Sequence, residues 1–485
     1  MPVETGFPNA VVTGIVTGSV IALGAIGLSL VYSIAEVPNF AHGELLTLGA
    51  YTALLVNKPG TVPVFELLAV STQAASVPGL AFLFLVGAGA LLGVIYLLGG
   101  YEMLAGGWLP VAVPDPAGYA ATAVVAAVVG LLVVTGTPSV WGGVLLAVVV
   151  LAGIGPLVER IVFGKFRAKG TDLATMLIVT LGVSFVLRFS TQALFGGQSR
   201  TYEVPDTATV AGTEIPLSAT QFFDLYVTGG GLVVRMADTS TGTDQTAVEV
   251  LTVAYSWPVV VVGLAATVAA AVAGYRWRND DETSYGTAGQ TVGPRLTAVF
   301  IGVGTFLVAA AILGGSADVP DSFLYGTRVS LSVMRASAIG IALTMMGLLH
   351  VVLKETKLGT AMRASSDNID LAKVTGINTD RVMMATWIIA GAYAAIAGVM
   401  LGVLFSQITP NMGFFILLPM FAGVILGGIG SVYGAMVGSF FVGLSMDVGI
   451  FLLDIGTTLR IPVAFAVLFV VLLVKPEGIV GGRGA

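Results

Sequence analysis

Three polar side chains, Asn39, His42 and Glu44, stand between two long apolar runs near the start of the chain. Pro38 precedes them, and a proline disfavours helix at the residue before it and can open a new helix at its own position. Polar residues at membrane depth cost several kcal/mol, so they are rarely idle there. The pattern predicts either a broken helix whose polar groups, with Gly43, line a solute path, or a surface turn in which Glu44 stabilises a helix N-terminus.

A second polar segment, 354–381, is rich in Lys and Arg. We predict that residues 359–375 form one helix outside the bilayer, on which Arg363 and Asp367 pair because they are four residues apart. A short amphipathic helix in a basic loop would serve either to dock a soluble partner or only as a solvated or membrane-surface helix.

The end of this segment carries local stop and start signals. Asp370 and Lys373 are spaced to pair, and Gly376 suits a left-handed C-cap position. Asn378 or Thr379 is then expected to cap the next helix, which enters the membrane.

Small residues are concentrated in a third segment, which contains Gly427, Gly428, Gly430 and Ser431. Such residues let membrane helices pack closely. They can also break a helix, so the sequence leaves both interpretations open.

Other chemistry is missing from the sequence. No Gly-x-x-x-x-Gly-Lys-Ser/Thr loop is present, so the chain is not expected to hydrolyse ATP. With 2 His and no Cys, a His- or Cys-based metal site is not expected, and no cofactor or nucleic-acid partner is predicted. We predict that the protein is not an enzyme.

Transmembrane helices must position these residues. The chain is 56% hydrophobic and 10% charged, against roughly 25% charged in soluble domains. Apolar runs of about 20 residues cross a bilayer, where the backbone must bond to itself as helix. We predict an all-α, polytopic transmembrane helical bundle with about 11–13 spans. The spans are expected at 10–33, 38–56, 81–99, 119–135, 139–157, 173–195, 256–274, 296–313, 330–353, 383–405, 414–428, 432–453 and 459–475.

Basic residues orient this bundle. The loops 159–172, 275–295 and 354–381 and the tail with Lys475 and Arg483 hold most of the Lys and Arg, and even numbers of predicted spans separate them. Because positive loops face the cytoplasm, all four are predicted to be cytoplasmic. On the opposite side, Asp454 is expected to lie beside Arg460. The first 140 residues carry too few charges to be oriented.

The largest polar insertion, residues 197–255, is rich in Thr, Val and Gly. Alternating polar and apolar residues predict a small β-structured extracytoplasmic insertion. A disordered acidic loop is the alternative.

In this order, the segments resemble the permease subunits of branched-chain amino acid ABC transporters of the leucine/isoleucine/valine type. The resemblance rests on residues 39–51 (NFAHGELLTLGAY), 358–382 (LGTAMRASSDNIDLAKVTGINTDRV) and the glycine-rich 427–438. Relative to that family, the chain has extra material at about 57–138 and 200–328, and each insertion is expected to contain a further pair of spans.

The resemblance implies that residues 1–485 form a single permease domain in the cell membrane, one half of a path for branched-chain or other hydrophobic amino acids. The implied partners are two ATP-binding cassette subunits, a second homologous permease, an extracytoplasmic substrate-binding protein and the lipid bilayer. Segment 354–381 would be the cytoplasmic coupling loop, in which the residues expected to meet the ATPase are Gly359, Arg363, Ala364, Asp367, Ala372, Gly376 and Ile377. The candidates for the path are Asn39, His42, Gly43, Glu44, Gly427, Gly428, Gly430 and Ser431.

Three alternatives remain open at this point. The protein could be an ion-coupled secondary transporter in which Glu44 carries a proton, a member of the same family that transports urea or short amides, or a non-transporting membrane scaffold.

Overall fold

The computed structural model describes residues 6–58, 140–204, 220–239, 247–280 and 322–474, with short segments between them. Within these residues, 8 helices are long and apolar enough to cross a membrane. The spans predicted at 81–99 and 119–135 lie outside the described residues, as does most of 296–313. The described part confirms a polytopic helical bundle.

The helices follow the predicted apolar runs closely. In chain order they are α1 (Phe7–Ala35), α2 (Ala41–Asn57), α3 (Val140–Val158), α4 (Leu173–Phe195), α5 (Trp257–Asp280), α6 (Val333–Glu355), α7 (Lys357–Asp367), α8 (Ile369–Val374), α9 (Thr379–Leu404), α10 (Met412–Gly427), α11 (Val432–Leu453) and α12 (Arg460–Val474). Helix α3 continues through a π-helical turn at Glu159–Phe163 into Gly164–Ala168.

The chain divides into two compact units. One, here called the sheet unit, comprises Met1–Val12 and Asp206–Val333. The other, here called the helical unit, comprises Thr13–Pro205 and Met334–Ala485.

Seven strands lie in the described part of the sheet unit, of which the first five fall in the polar insertion where the sequence predicted strands and the last two lie beyond it. These are β1 (Thr207–Val210), β2 (Thr213–Pro216), β3 (Thr220–Val227), β4 (Gly231–Thr239), β5 (Ala247–Ser256), β6 (Gly315–Ser316) and β7 (Tyr325–Ser332). Strands β1 and β2 form a hairpin, and the other five form an antiparallel sheet in the order β6-β5-β4-β3-β7. The alternative of a disordered loop is therefore wrong for these residues. The predicted span at 330–353 begins only at Val333, because the residues before it pair with β3 as strand β7.

A buried carboxylate links three neighbouring strands of this sheet, β4, β3 and β7. Asp224 on β3 is 0% exposed. Its carboxylate accepts two hydrogen bonds from Arg328 on β7, at 2.6 Å from Nε and 2.8 Å from Nη2. Arg235 on β4 lies 3.8 Å away on the other side. The hydrogen bonds to Asp224 raise the pKa of Arg328, so Arg328 stays cationic while these contacts hold three strands in register.

Helix α9 lies at the centre of the helical unit, where it packs against α2 and α3, and α2 also contacts α4 and α10. The backbones of α9 and α2 approach each other closely. A Cβ atom on Gly398 of α9 would overlap the carbonyl oxygen of Leu46 on α2. Trp387, Tyr51 and Tyr393 are among the largest fully buried side chains. Close backbone contact at small residues is how helices associate in lipid, where the hydrophobic drive between them is absent.

The prediction that Asp454 lies beside Arg460 is wrong. Arg460 at the start of α12 pairs with Asp447 of α11 at 2.9 Å, and Asp447 also accepts a 2.7 Å hydrogen bond from Thr17 of α1. Asp454 instead ends α11 in a left-handed conformation, with φ of 49°. Asp447 lies inside the helical unit at 3% exposure, so it needs a cationic partner more than the exposed Asp454 does.

Candidate functional site

The chain breaks between α1 and α2, where the sequence predicted a polar break. Helix α1 ends at Ala35, and the Oδ1 atom of Asn39 accepts a 3.0 Å hydrogen bond from the backbone N–H of Ala41 as α2 begins. Asn39, His42 and Glu44 are 2%, 0% and 1% exposed. An exposed surface turn is therefore excluded, and these polar groups face the interior of the helical unit.

Glu44 is held by an arginine that the sequence analysis did not single out. Arg188 of α4 donates from Nε to the Oε1 atom of Glu44 at 3.0 Å, and its Nη2 also contacts Oε1. Ser184, one turn earlier on α4, donates to the same oxygen at 3.4 Å. The available signal was a lone arginine within the apolar run 173–195, since a charge inside a predicted span requires a partner.

Aromatic rings enclose the arginine of this pair. The guanidinium of Arg188 lies 4.7 Å from the ring centre of Phe414 on α10 and 5.8 Å from that of Phe185 on α4. Cation–π contacts of this kind are strongest where water is excluded. The pair therefore connects α2, α4 and the start of α10.

Three buried polar atoms, one of them in this pair, have no hydrogen-bond partner among the described residues. They are the Oε2 atom of Glu44, the Nδ1 atom of His42 and the Nδ2 atom of Asn39. His42 donates from Nε2 to the carbonyl oxygen of Gly24 at 3.0 Å, which leaves Nδ1 as an acceptor. Unpaired buried polar groups are unfavourable, so they mark α2 as a place where a polar solute could make new hydrogen bonds.

Gly43 lies where α2 crosses the start of α10. A Cβ atom on Gly413 would overlap both the carbonyl oxygen of Gly43 and the hydroxyl of Thr47. The N–H of Gly413 donates to that hydroxyl at 2.9 Å. The crossing thus requires glycine on α10.

The glycine-rich segment both packs closely and breaks a helix. Helix α10 ends at Gly427, Gly428 and Gly430 have φ of 105° and 84°, and Ser431 caps α11 by accepting from the N–H of Gly434 at 3.0 Å. Gly427 meets the backbone of Gly434 so closely that a Cβ atom would overlap it. The close packing and the helix break are therefore both confirmed, while a place for these residues on a solute path stays a prediction.

The predicted coupling segment consists of two helices, not one. Asn368 interrupts the expected helix at 359–375 by adopting an extended conformation, and its Oδ1 atom accepts from the N–H of Leu371 at 2.9 Å. Asn368 therefore caps α8, and the local hydrogen bond outweighs continuation of α7.

The local signals at the end of the segment behave as predicted. Lys373 and Asp370 pair at 3.5 Å, Gly376 has φ of 87°, and the Oδ1 atom of Asn378 accepts from the N–H of Arg381 at 3.1 Å to cap α9. The expected pair of Arg363 and Asp367 is not among the ion pairs of the described residues.

The predicted coupling residues fall into an inner and an outer group. Gly359 and Ala372 are buried, Ala364 and Ile377 are partly buried, and the exposed members are Arg363, Asp367 and Gly376. Two apolar residues that sequence reasoning missed, Leu371 and Val374, are 61% and 85% exposed on α8. Their i, i+3 spacing gives α8 one exposed apolar face. Within the described ranges, no group of three or more His, Asp or Glu side chains could hold a metal ion.

Comparisons with known proteins identify the family. The model of the family described as branched-chain amino acid transport system / permease component matches residues 10–105 and 224–474, more than half of the chain. The high-affinity branched-chain amino acid transport system permease protein LivH of Salmonella typhimurium is 32% identical over 152 residues, which are 31% of this chain and 49% of that protein.

Two further relatives are also described as branched-chain amino acid transport permease proteins. The high-affinity permease protein BraD of Pseudomonas aeruginosa is 31% identical over 192 residues, 37% of this chain and 62% of that protein. A probable branched-chain amino acid transport permease protein of Methanocaldococcus jannaschii is 33% identical over 106 residues, 22% of this chain and 32% of that protein. The chain spans about half the length of the curated relatives it matches, and no solved structure gives a significant match. The family model matches more than half of the chain, and the many apolar helices are those of a multi-pass membrane protein. The protein therefore belongs to the family of branched-chain amino acid transport system permease components.

Proposed function

We propose that the protein is one permease subunit of an ATP-driven importer in the plasma membrane that carries branched-chain or other hydrophobic amino acids. A second, related permease would complete the path, two separate ATP-binding subunits would drive it, and an extracytoplasmic binding protein would deliver the substrate. The family membership and the substrate named for LivH and BraD support this proposal.

The observation that carries the importer assignment is the exposed apolar face of α8. This helix belongs to a basic segment between two spans, so by the charge rule it faces the cytoplasm. Leu371 and Val374 would meet water there unless another protein covers them. A helix pair with an apolar face and the exposed Arg363 is suited to dock on a soluble motor subunit.

The alternative of a proton-coupled transporter has less support. It needs a carboxylate that is free to exchange a proton along the path. Glu44 already accepts hydrogen bonds from Arg188 and Ser184, and in that arrangement it joins α2 to α4.

Reconstitution tests the proposal. The complex is purified through a tag on this chain and placed in liposomes. We expect leucine uptake to require both ATP on the ATPase side and the binding protein, while the chain alone gives background uptake. Robust uptake by the chain alone, or uptake driven by a pH gradient, would contradict an ATP-driven importer.

Competition in the same assay tests the substrate class. Excess isoleucine and valine should suppress leucine uptake, whereas urea and acetamide should not. Competition by urea or acetamide would refute the substrate assignment and leave the ATP-driven mechanism standing.

Arg363→Glu should uncouple ATP hydrolysis from import. Reversing an exposed charge in a docking surface opposes its complementary partner, and we expect about a tenfold fall in leucine imported per ATP hydrolysed. Both rates are measured in the reconstituted complex. Lys169→Glu makes the same charge change at an exposed position of another basic loop and should leave the ratio at the wild-type value. If both variants import the same amount of leucine per ATP hydrolysed, Arg363 does not belong to the docking surface.

A further inference from the structure

A charged groove lies within the helical unit, at one end of two neighbouring helices. It has a volume of about 610 Å³, and it is formed where the extension of α3 ends and α9 begins. Its charged lining comprises Arg160, Arg167, Lys373, Arg381, Glu159 and Asp380. Neither the path residues around Glu44 nor the exposed apolar face of α8 contributes to it.

The groove has an excess of positive charge. Glu159 is 2% exposed, and Arg167 neutralises it through two hydrogen bonds at 2.9 Å and 3.2 Å. Lys373 pairs with Asp370 outside the lining, so the remaining charged groups of the lining are the two arginines Arg160 and Arg381 and the single acid Asp380. Arg160 is exposed and makes no ion pair or hydrogen bond with the described residues, so its guanidinium is available to an anion.

The local backbone turns Arg160 toward this groove. Residues 159–163 form a π-helical turn within an otherwise α-helical segment. The extra residue in such a turn shifts the following side chains around the helix axis, and such turns are frequent at functional sites. Phe163 of the turn stacks on Trp387 of α9, with ring centres 5.5 Å apart, which fixes the turn against the neighbouring helix.

The groove also lies at the ends of two candidate membrane spans. The candidate spans Val140–Ala168 and Thr379–Leu404 have these residues at one end of each, and α3 packs against α9. Leu157 and Ile161, on either side of Arg160 along the helix, are 45% and 52% exposed. Cationic groups therefore stand beside apolar surface that continues into the bilayer.

We infer that this groove binds the headgroup of an anionic phospholipid, whose phosphate is held by Arg160 and Arg381 and whose acyl chains lie along Leu157 and Ile161. Guanidinium groups suit phosphate because they can donate two parallel hydrogen bonds. Basic pockets between spans on the cytoplasmic side are suited to acidic headgroups. A free phosphate would use the arginines but gain nothing from the apolar residues, and an acidic peptide would not extend along the lipid-facing side of α3.

Lipid binding to the purified chain in detergent tests this inference without any partner subunit. Short-chain phosphatidylglycerol is titrated and the bound fraction is measured by native mass spectrometry, with phosphatidylcholine as the zwitterionic comparison. We expect phosphatidylglycerol to bind at least tenfold more tightly than phosphatidylcholine. Arg160→Gln should weaken binding about fivefold, and Arg160→Gln with Arg381→Gln about 30-fold, since each charge near an anionic headgroup contributes a similar factor.

A matched pair of variants controls for charge alone. Lys165→Gln with Lys169→Gln removes two exposed charges from the same stretch of chain but outside the groove, and binding should stay within twofold of wild type. Thermal unfolding identifies any variant that fails to fold, and Arg160→Gln provides a test that removes no internal contact.

Three outcomes would overturn the inference. In the first, the groove variants and the lysine variants weaken phosphatidylglycerol binding equally. In the second, millimolar inorganic phosphate displaces the lipid, which assigns the groove to a free anion. In the third, the groove variants keep full lipid binding but lose association with an ATPase subunit in the intact complex, which assigns the groove to an acidic protein segment.

Discussion

Arg188→Met will destabilise the helical unit by about 3–5 kcal/mol, the range expected when one partner of a buried ion pair is removed. Glu44 is 1% exposed, so its carboxylate would remain in an apolar interior without a cation. Methionine fills a similar volume and retains the contact with Phe414, so the loss reports the charge and not a cavity. The unfolding midpoint of the purified protein in detergent, followed by intrinsic fluorescence, measures the effect.

The matched variants form a double-mutant cycle. Glu44→Gln alone leaves Arg188 buried beside a neutral amide and should destabilise less than Arg188→Met, because 13% of the Arg188 side chain remains exposed. Glu44→Gln combined with Arg188→Met removes both charges and should recover part of the stability that Arg188→Met alone loses. Strictly additive effects would show that the two side chains do not interact in the folded protein.

Local signals in the sequence were sufficient for the helix ends of the coupling segment. Gly376 stops a helix and Asn378 starts one because each acts through the conformation or hydrogen bonds of its own neighbourhood. The same physics explains the error at 359–375. The prediction of a single helix counts Asn368 as one more helical position, although its side chain can cap a new helix whenever the backbone extends.

Partners distant in sequence could not be predicted in this way. Glu44 and Arg188 are 144 residues apart, and only the packing of α4 on α2 brings them together. A charge inside an apolar run shows that a partner is needed but does not identify it.

The wrong partner predicted for Arg460 has a related cause. Asp447 and Asp454 both precede Arg460 in the sequence, and the prediction names only Asp454. The turn after α11 folds α12 back along it, which carries Arg460 past Asp454 to the buried Asp447. Which acid is buried depends on packing against α1, and sequence spacing does not record that.

The glycine at the start of α10 gives the second large effect. Gly413→Ala should lower the stability of the helical unit by about 3 kcal/mol, at the upper end of the range for over-packed interiors. The added methyl group would overlap the carbonyl oxygen of Gly43 and the hydroxyl of Thr47. Backbone cannot rotate away as a side chain would, so α10 must move off α2, and the 2.9 Å bond from Gly413 to Thr47 is lost. Reduced yield of folded protein and a lower unfolding midpoint are the expected readouts.

Two variants separate steric overlap from other causes. Gly182→Ala on α4 makes the same chemical change where no atom lies within 4 Å, and it should leave the midpoint unchanged or slightly raised, since alanine favours helix over glycine by about 1 kcal/mol. Thr47→Val removes the hydroxyl that accepts a hydrogen bond from Gly413 and adds no bulk at the crossing. It should lower the stability of the helical unit by about 1 kcal/mol. If Gly413→Ala is no worse than Thr47→Val, the hydrogen bond and not the close approach holds α10 against α2. If it is clearly worse, the polar residues at the start of α2 keep their positions because α10 has no side chain where the two helices cross.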